Sequence, residues 1–353
     1  MPPATKRLDT HIFNFETGLT RADVELLALD SEVERVQCTS TVEPNTWELL
    51  NEILFVRRPE IELRVYGFYS SVCDLSFLHR VSNVRRFSAD CLLKATGIEN
   101  LQFLTKLKEL SIGIYDLQDF SFLTMVPRDI KKLSIGATFS KKPRLHQLSR
   151  FHELRRLYLE GQQNGIEVLS ELLTLEEITL RSISTNGLEY LSGLPGLWSL
   201  DVKLGGIADF SAIESKASIK YLELWQVRGL SDLGFISSLT GLQYLFLQSL
   251  RNVAAIPDLS KLAKLRRLHL ETMKGLRDIS AIAEAPALEE FTHVSAQNFT
   301  PGDYAALLRM PTLKSVRVGF GSQKKNKLFA EQAMQFGKNS DAGGKLGTRF
   351  VFE

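Results

Sequence analysis

Apolar residues recur along most of this chain in one spacing: an apolar residue, two others, a second apolar residue, one other, a third. The pattern reads Val84, Phe87 and Ala89, then Leu107, Leu110 and Ile112, then Ile130, Leu133 and Ile135. It continues through Leu200 and Val202, Leu222 and Leu224, and Leu245 and Leu247, and ends at Leu313, Val316 and Val318. Taken at the middle residue, the steps from Phe87 to Val316 are 23, 23, 24, 21, 22, 22, 23, 23, 23 and 25 residues. The second and third apolar positions alternate with polar ones. Each group therefore predicts a short strand with its apolar side chains on one face and the intervening side chains on the other. A period of this length predicts stacked repeats, in which each repeat completes its neighbour's core.

A second signature lies between the strands: "DLSFL" at 74, "NLQFL" at 100, where Asn stands for Asp, "DFSFL" at 119, "DFSAI" at 209, "DLGFI" at 232, "DLSKL" at 258 and "DISAI" at 278. An Asp here starts a tight turn, because its short side chain accepts a backbone N–H a few residues on. Few residues separate this turn from the next strand, which predicts a 3₁₀ turn in place of a full α-helix. The segments "LKELSIGIYDLQDFSFL" and "LQYLFLQSLRNVAAIPDLSKL" resemble leucine-rich repeats of the short, bacterial internalin-like class, over roughly residues 31 to 320. The resemblance implies an α/β solenoid: a leucine-rich repeat horseshoe with a concave parallel β-sheet, a short 3₁₀ or irregular convex side, and helical caps at both ends. The chain departs from that family in one respect. The Asn expected five residues after the middle Leu is replaced by Tyr115, Thr138, Gln162, Ile183, Gly205, Val227, Leu250 and Met273. The turn amides must find other partners.

The ends read differently. "TRADVELLALD" predicts a helix capped by Thr20, and residues 33–38 a first strand. "PNTWELLNEILFVRRP" predicts a longer helix capped by Asn45 or Thr46, and "SQKKNKLFAEQAMQF" a closing helix. The expected organisation is an N-terminal cap and first repeat (1–58), repeats (59–320), and a C-terminal cap helix and tail (321–353). "TRFVFE" either adds a terminal strand or hangs free.

Composition narrows the chemistry. Forty-three basic and 41 acidic residues give a net charge of +2 over 353 residues. That balance gives no reason to expect a nucleic acid or an anionic membrane as partner. The basic residues Arg85, Lys108, Lys131, Arg155, Lys220, Arg266 and Lys314 share one position of the repeat and are read as solvated edge chemistry. Cys38, Cys73 and Cys91 form no disulfide framework, and Cys38 falls on a core position. The six His show no metal-ligand spacing. "NSDAGGKL" at 339–346 lacks the first Gly and the Ser/Thr of a phosphate loop. No secretory signal or membrane span is visible, so a cytoplasmic, monomeric protein is expected, with export as an effector left open. No enzyme activity and no cofactor are expected.

The outward positions of the strands point to recognition. In two adjacent repeats the second and third outward positions are only Ser and Gly, at Ser111, Gly113, Ser134 and Gly136, a smooth floor. Further on, Tyr221, Trp225, Tyr244 and Phe246 gather on two neighbouring strands, with Glu223, Arg267, His269 and Glu271 around them and Tyr158 earlier in the same columns. Aromatic anchors inside a charged rim suit a protein or peptide ligand on the concave face. A glycan or small-ligand receptor is the alternative, since the same residues suit sugar faces. Two structural readings stand beside both: cross-strand ring pairs that stabilise the sheet, and a terminal segment folded over the rings.

Overall fold

The computed structural model describes residues 5–7, 11–68, 71–340 and 350–353; the glycine-rich stretch read against a phosphate loop lies mostly outside them. Two compact units divide the chain, residues 1–175 and 176–353. The first holds strands β1 (Thr5–Arg7), β2 (Ile12–Phe15), β3 (Arg35–Cys38), β4 (Glu62–Tyr66), β5 (Arg86–Leu92), β6 (Glu109–Ile114), β7 (Lys132–Ile135) and β8 (Arg156–Glu160). They lie in sequence order, all parallel except β1, which runs antiparallel to β2. The second unit holds β9 (Glu177–Arg181), β10 (Ser199–Lys203), β11 (Tyr221–Trp225), β12 (Tyr244–Gln248), β13 (Arg267–Glu271), β14 (Glu290–Val294) and β15 (Ser315–Val318), again parallel and in order. The register pairs marker with marker: Leu200 opposite Leu222, Leu222 opposite Leu245, Leu245 opposite Leu268. Those leucines are fully buried, so each repeat closes its core against the next.

The expected 3₁₀ turns are present, among them Ser76–Arg80, Ser121–Met125, Gly234–Ser238 and Ser280–Glu284. The turn expected to start at "NLQFL" departs from that reading: it runs Ile98–Phe103 behind the left-handed Gly97, with Asn100 inside it donating back to the Gly97 carbonyl. The Asp-led turns start as the sequence predicts. Asp74, Asp119, Asp209, Asp232, Asp258 and Asp278 each accept the backbone N–H two residues on through Oδ1, at 2.8–2.9 Å. "GIEVLSEL", which lacks the Asp, still forms a 3₁₀ turn at Ile166–Glu171 behind the left-handed Gly165. "GLEYLSGL" forms one short α-turn at Glu189–Ser192.

The missing Asn column has a main-chain replacement. In the second unit the residue after each of the first five strands is left-handed: Ser182, Leu204, Gln226, Ser249 and Thr272 have φ of 51–57°. Each donates its N–H to the next repeat, to the carbonyls of Lys203, Trp225, Gln248, Glu271 and Val294 respectively, at 2.7–3.0 Å. A left-handed non-Gly residue costs roughly 1–2 kcal/mol, and these bonds offset that cost. The residues that follow, Ile183, Val227, Leu250 and Met273, are buried where Asn was expected.

At the N-terminal end, Thr20 caps the helix Arg21–Leu29 through a reciprocal pair with Asp23, and Val24, Leu27 and Ala28 form its buried face. The next helix differs from expectation. It starts at Pro44 behind Glu43, which makes no side-chain cap. Thr46 is buried inside it and accepts the Leu19 N–H. Its middle turn, Leu50–Leu54, is π-helical. Strand β2 precedes the strand expected to be first. At the other end, Ser322 caps the helix Gln323–Gln335. Asn339 then pairs alongside β15, and the Lys338 ammonium donates to the carbonyls of Met310 and Leu313.

Candidate functional site

Eight of the nine expected contact residues fall in the second unit and one, Tyr158, in the first. The strand register places Tyr221 beside Tyr244, Glu223 beside Phe246, and Phe246 beside His269. Tyr221 and Tyr244 meet edge to face at 5.2 Å, and Phe246 meets His269 at 4.6 Å. The Arg267 guanidinium lies 5.3 Å from the Tyr244 ring and pairs with Glu290 at 2.7 Å. Trp225 is half-buried, with Arg181 5.7 Å and Lys203 6.0 Å from its ring. Gln248 donates to Glu271 at 3.1 Å. His269 is 8% exposed, and burial with the nearby Arg267 charge lowers its pKa to about 4, so it is neutral at pH 7. The outward column therefore sinks at this position, beneath Phe246.

Polar groups below the rings form a tight set. Tyr221 donates its hydroxyl to Glu223 at 2.5 Å, and burial beside that carboxylate holds the phenol well above its usual range. Lys203 bridges Asp201 at 2.7 Å and Glu223 at 3.1 Å. Burial and the Glu223 charge raise Asp201 to about 6, and its Oδ1 is buried without a hydrogen-bond partner. A carboxyl whose folded pKa exceeds its unfolded one binds its proton more tightly in the folded chain. Its contribution to stability is therefore greatest below about pH 4 and falls as pH rises through about 6. Asp201→Asn removes one of two acids facing a single Lys203. The variant is expected to be more stable at pH 7.5 by about 1 kcal/mol, with that part of the pH dependence gone. Urea midpoints of both proteins at pH 4.5 and 7.5 measure it; an equal difference at both would refute the assignment.

The rings are partly covered by the chain itself. Phe352 packs against Trp198 at 5.1 Å and Tyr221 at 6.0 Å, and Phe350 against Tyr244 at 5.4 Å. "TRFVFE" neither adds a strand nor hangs free over its described residues. It is the terminal segment folded over the rings.

In the first unit the smooth floor is a groove of about 510 Å³, bounded by Ser111, Gly113, Ser134, Gly136, Tyr158 and Glu160 among others. Gly113 and Gly136 leave main chain at its surface. Tyr158 donates to Glu160 at 2.9 Å along one side. Tyr115 also lines the groove and meets Phe139 edge to face at 5.8 Å. Tyr115 is 45% exposed, Phe139 73% and the nearby Leu93 65%. The outward columns do not include these three residues, which follow the strands. The signal available was the rings themselves: Tyr115 stands where the family has Asn.

Several groups are committed elsewhere. Burial raises the thiols of Cys38 and Cys73, the latter to about 12, which removes them as nucleophiles at neutral pH. In the basic column, Lys108 pairs with Asp129, Lys131 with Glu153, and Lys314 with Glu289. Among the described residues no group of His, Cys, Asp and Glu could hold a metal ion, and no helix is long and apolar enough to cross a membrane.

No protein-family model and no curated protein sequence matches the chain. Solved structures do. An internalin, InlF, from Listeria monocytogenes aligns over 84% of this chain and 88% of its own, at 17% identity and a TM-score of 0.55. A leucine-rich repeat protein from Leptospira interrogans aligns over 89% and 91%, at 12% identity and a TM-score of 0.46. Internalin C2 from Listeria monocytogenes aligns over 60% and 79%, at 18% identity and a TM-score of 0.35. With its stacked parallel strands, Asp-started 3₁₀ turns and likeness to InlF, the chain is a leucine-rich repeat solenoid with internalin-like structural neighbours.

Proposed function

We propose that the chain is a non-catalytic recognition scaffold that holds a protein or peptide segment on the outward face of its sheet. The observation that carries this reading is the first-unit groove. Its small-residue floor lets another backbone approach closely, and Leu93, Tyr115 and Phe139 expose apolar surface beside it. Exposed apolar surface next to a polar floor is a usual mark of a protein-binding site. The half-buried Trp225 and Phe246, with Glu223, His269 and Glu271 around them, give the second unit a contact patch of its own.

The test is a displayed-peptide selection against the whole chain, with a glycan array run in parallel. Groove-binding peptides are expected, and Tyr115→Ala combined with Phe139→Ala is expected to weaken them at least about tenfold. Both side chains are exposed, so the melting temperature should hardly move. Glycan hits with no peptide hits would favour a sugar receptor. Peptides indifferent to that double variant and to Trp225→Ala alike would remove the sheet face as the working surface.

A further inference from the structure

The segment Phe350–Glu353 is held in the manner of a bound peptide. Its side chains alternate: Phe350 and Phe352 pack on the unit while Val351 is 70% exposed. The Gln243 side chain, 3% exposed, makes both bonds of a main-chain pair. It accepts the Glu353 N–H at 3.0 Å and donates to the Glu353 main-chain oxygen at 3.0 Å. Lys220 donates to the same oxygen. Arg266 donates to the Val351 carbonyl at 2.7 Å and pairs with the Glu353 carboxylate at 3.2 Å. The guanidiniums of Arg266 and Arg267 lie 4.8 and 5.0 Å from the Phe350 ring. These contacts read two alternate rings, an extended backbone and an acidic side chain. None depends on a covalent link to the unit.

Trp198, Lys220, Gln243 and Arg266 occupy the same position in four successive repeats, one residue ahead of β10, β11, β12 and β13. At this position in other repeats Lys108, Lys131 and Lys314 are spent on nearby acids, Asp129, Glu153 and Glu289. Here Lys220 and Arg266 serve the segment.

We propose that this edge is a binding site for an extended aromatic-x-aromatic-acidic segment of a partner protein, and that residues 350–353 are its intramolecular occupant, which the partner displaces. The proposal rests on the reading of the chain as a peptide-recognition scaffold and adds a second site with its own sequence preference. A tethered occupant competes at an effective concentration on the order of millimolar, so partners of weaker local concentration or poorer match are kept out.

The experiment uses a fluorescent synthetic peptide of residues 348–353 and the full chain, with Phe350→Ala and Phe352→Ala combined to empty the site. The emptied variant is expected to bind the peptide at least about tenfold more tightly than the wild type, whose own segment competes. A peptide with Ala in place of both Phe should not bind. Adding Gln243→Ala to the emptied variant should weaken binding at least about tenfold. Glu353→Lys keeps both rings but sets an ammonium beside Arg266 and Lys220, which expels the segment by like charge, and it replaces the alanine variant should that one unfold. A folded, emptied variant that ignores the peptide would overturn the proposal, as would equal affinity for wild type and variant. The groove variants do not touch this edge, so the two readings fail independently.

Discussion

Tyr304→Ala is expected to destabilise the second unit by about 3–5 kcal/mol and to release the closing helix. Tyr304 is fully buried. Its ring meets Phe320 at 5.7 Å, Phe329 at 5.5 Å, Phe299 at 6.0 Å and Phe291 at 6.1 Å. Phe329 belongs to the helix Gln323–Gln335, so one ring joins the last repeats to the element that covers them. The hydroxyl also meets His293 Nδ1 at 2.8 Å, and His293 is 1% exposed. Tyr304→Phe keeps the packing and leaves that nitrogen without its partner, so it should cost less, about 1–3 kcal/mol. Denaturant melts rank the two variants, and hydrogen exchange over residues 323–335 reports on the helix. An alanine variant that loses under about 1 kcal/mol, or that keeps the helix protected, would show that Tyr304 does not fasten it.

Gly241→Ala should be as damaging for a different reason. A Cβ at Gly241 would lie 1.9 Å from the Ala217 carbonyl oxygen and 2.9 Å from its carbon. Both atoms are main chain, so no rotamer change relieves the clash and the repeats must part. Overpacking usually costs about 1–3 kcal/mol, and a backbone contact this short places the expected loss at about 3 kcal/mol or more. Gly193→Ala is the matched control, since a Cβ there would meet nothing within 4 Å. Thermal melts of the two single variants should differ by many degrees; similar melting would show that neighbouring repeats yield easily at this point.

Much of the fold was legible because a solenoid repeats its instructions. Ten steps of 21–25 residues fixed the strands, and the Asp-started turns appear where "DFSFL" and "DISAI" placed them. The N-terminal end was less legible. β1 and β2 are short and precede the first helix; β2 pairs in register with β3, Phe13 opposite Val36, but Thr10 stands where the pattern's first apolar residue would. Thr46 reads as a cap because an exposed cap and a buried acceptor for Leu19 look alike in sequence. The outward columns placed Tyr221 beside Tyr244 correctly. A terminal segment over those rings was one of the readings the sequence offered, but nothing in it selected that reading, because Gln243 and Glu353 are 110 residues apart and no periodicity links them. The rings at Tyr115 and Phe139 were lost for the opposite reason: they sit just past the strands, where the pattern had assigned a polar residue.

The ladder of left-handed residues has a consequence for how this chain tolerates change. Where an Asn side chain fixes the turn, identity at that position matters and drift is punished. Here the linking donors are main-chain N–H groups at Ser182, Leu204, Gln226, Ser249 and Thr272, and a peptide group is the same in every residue except proline. The molecule counts residues at these corners without reading them. Substitution there is cheap for Gly, Asn and other residues that accept a positive φ, whereas inserting or removing one residue would separate every later donor in that turn from its acceptor and turn the following side chains to the opposite face. Such an array can lose the letters of its consensus and keep its architecture, provided the count survives.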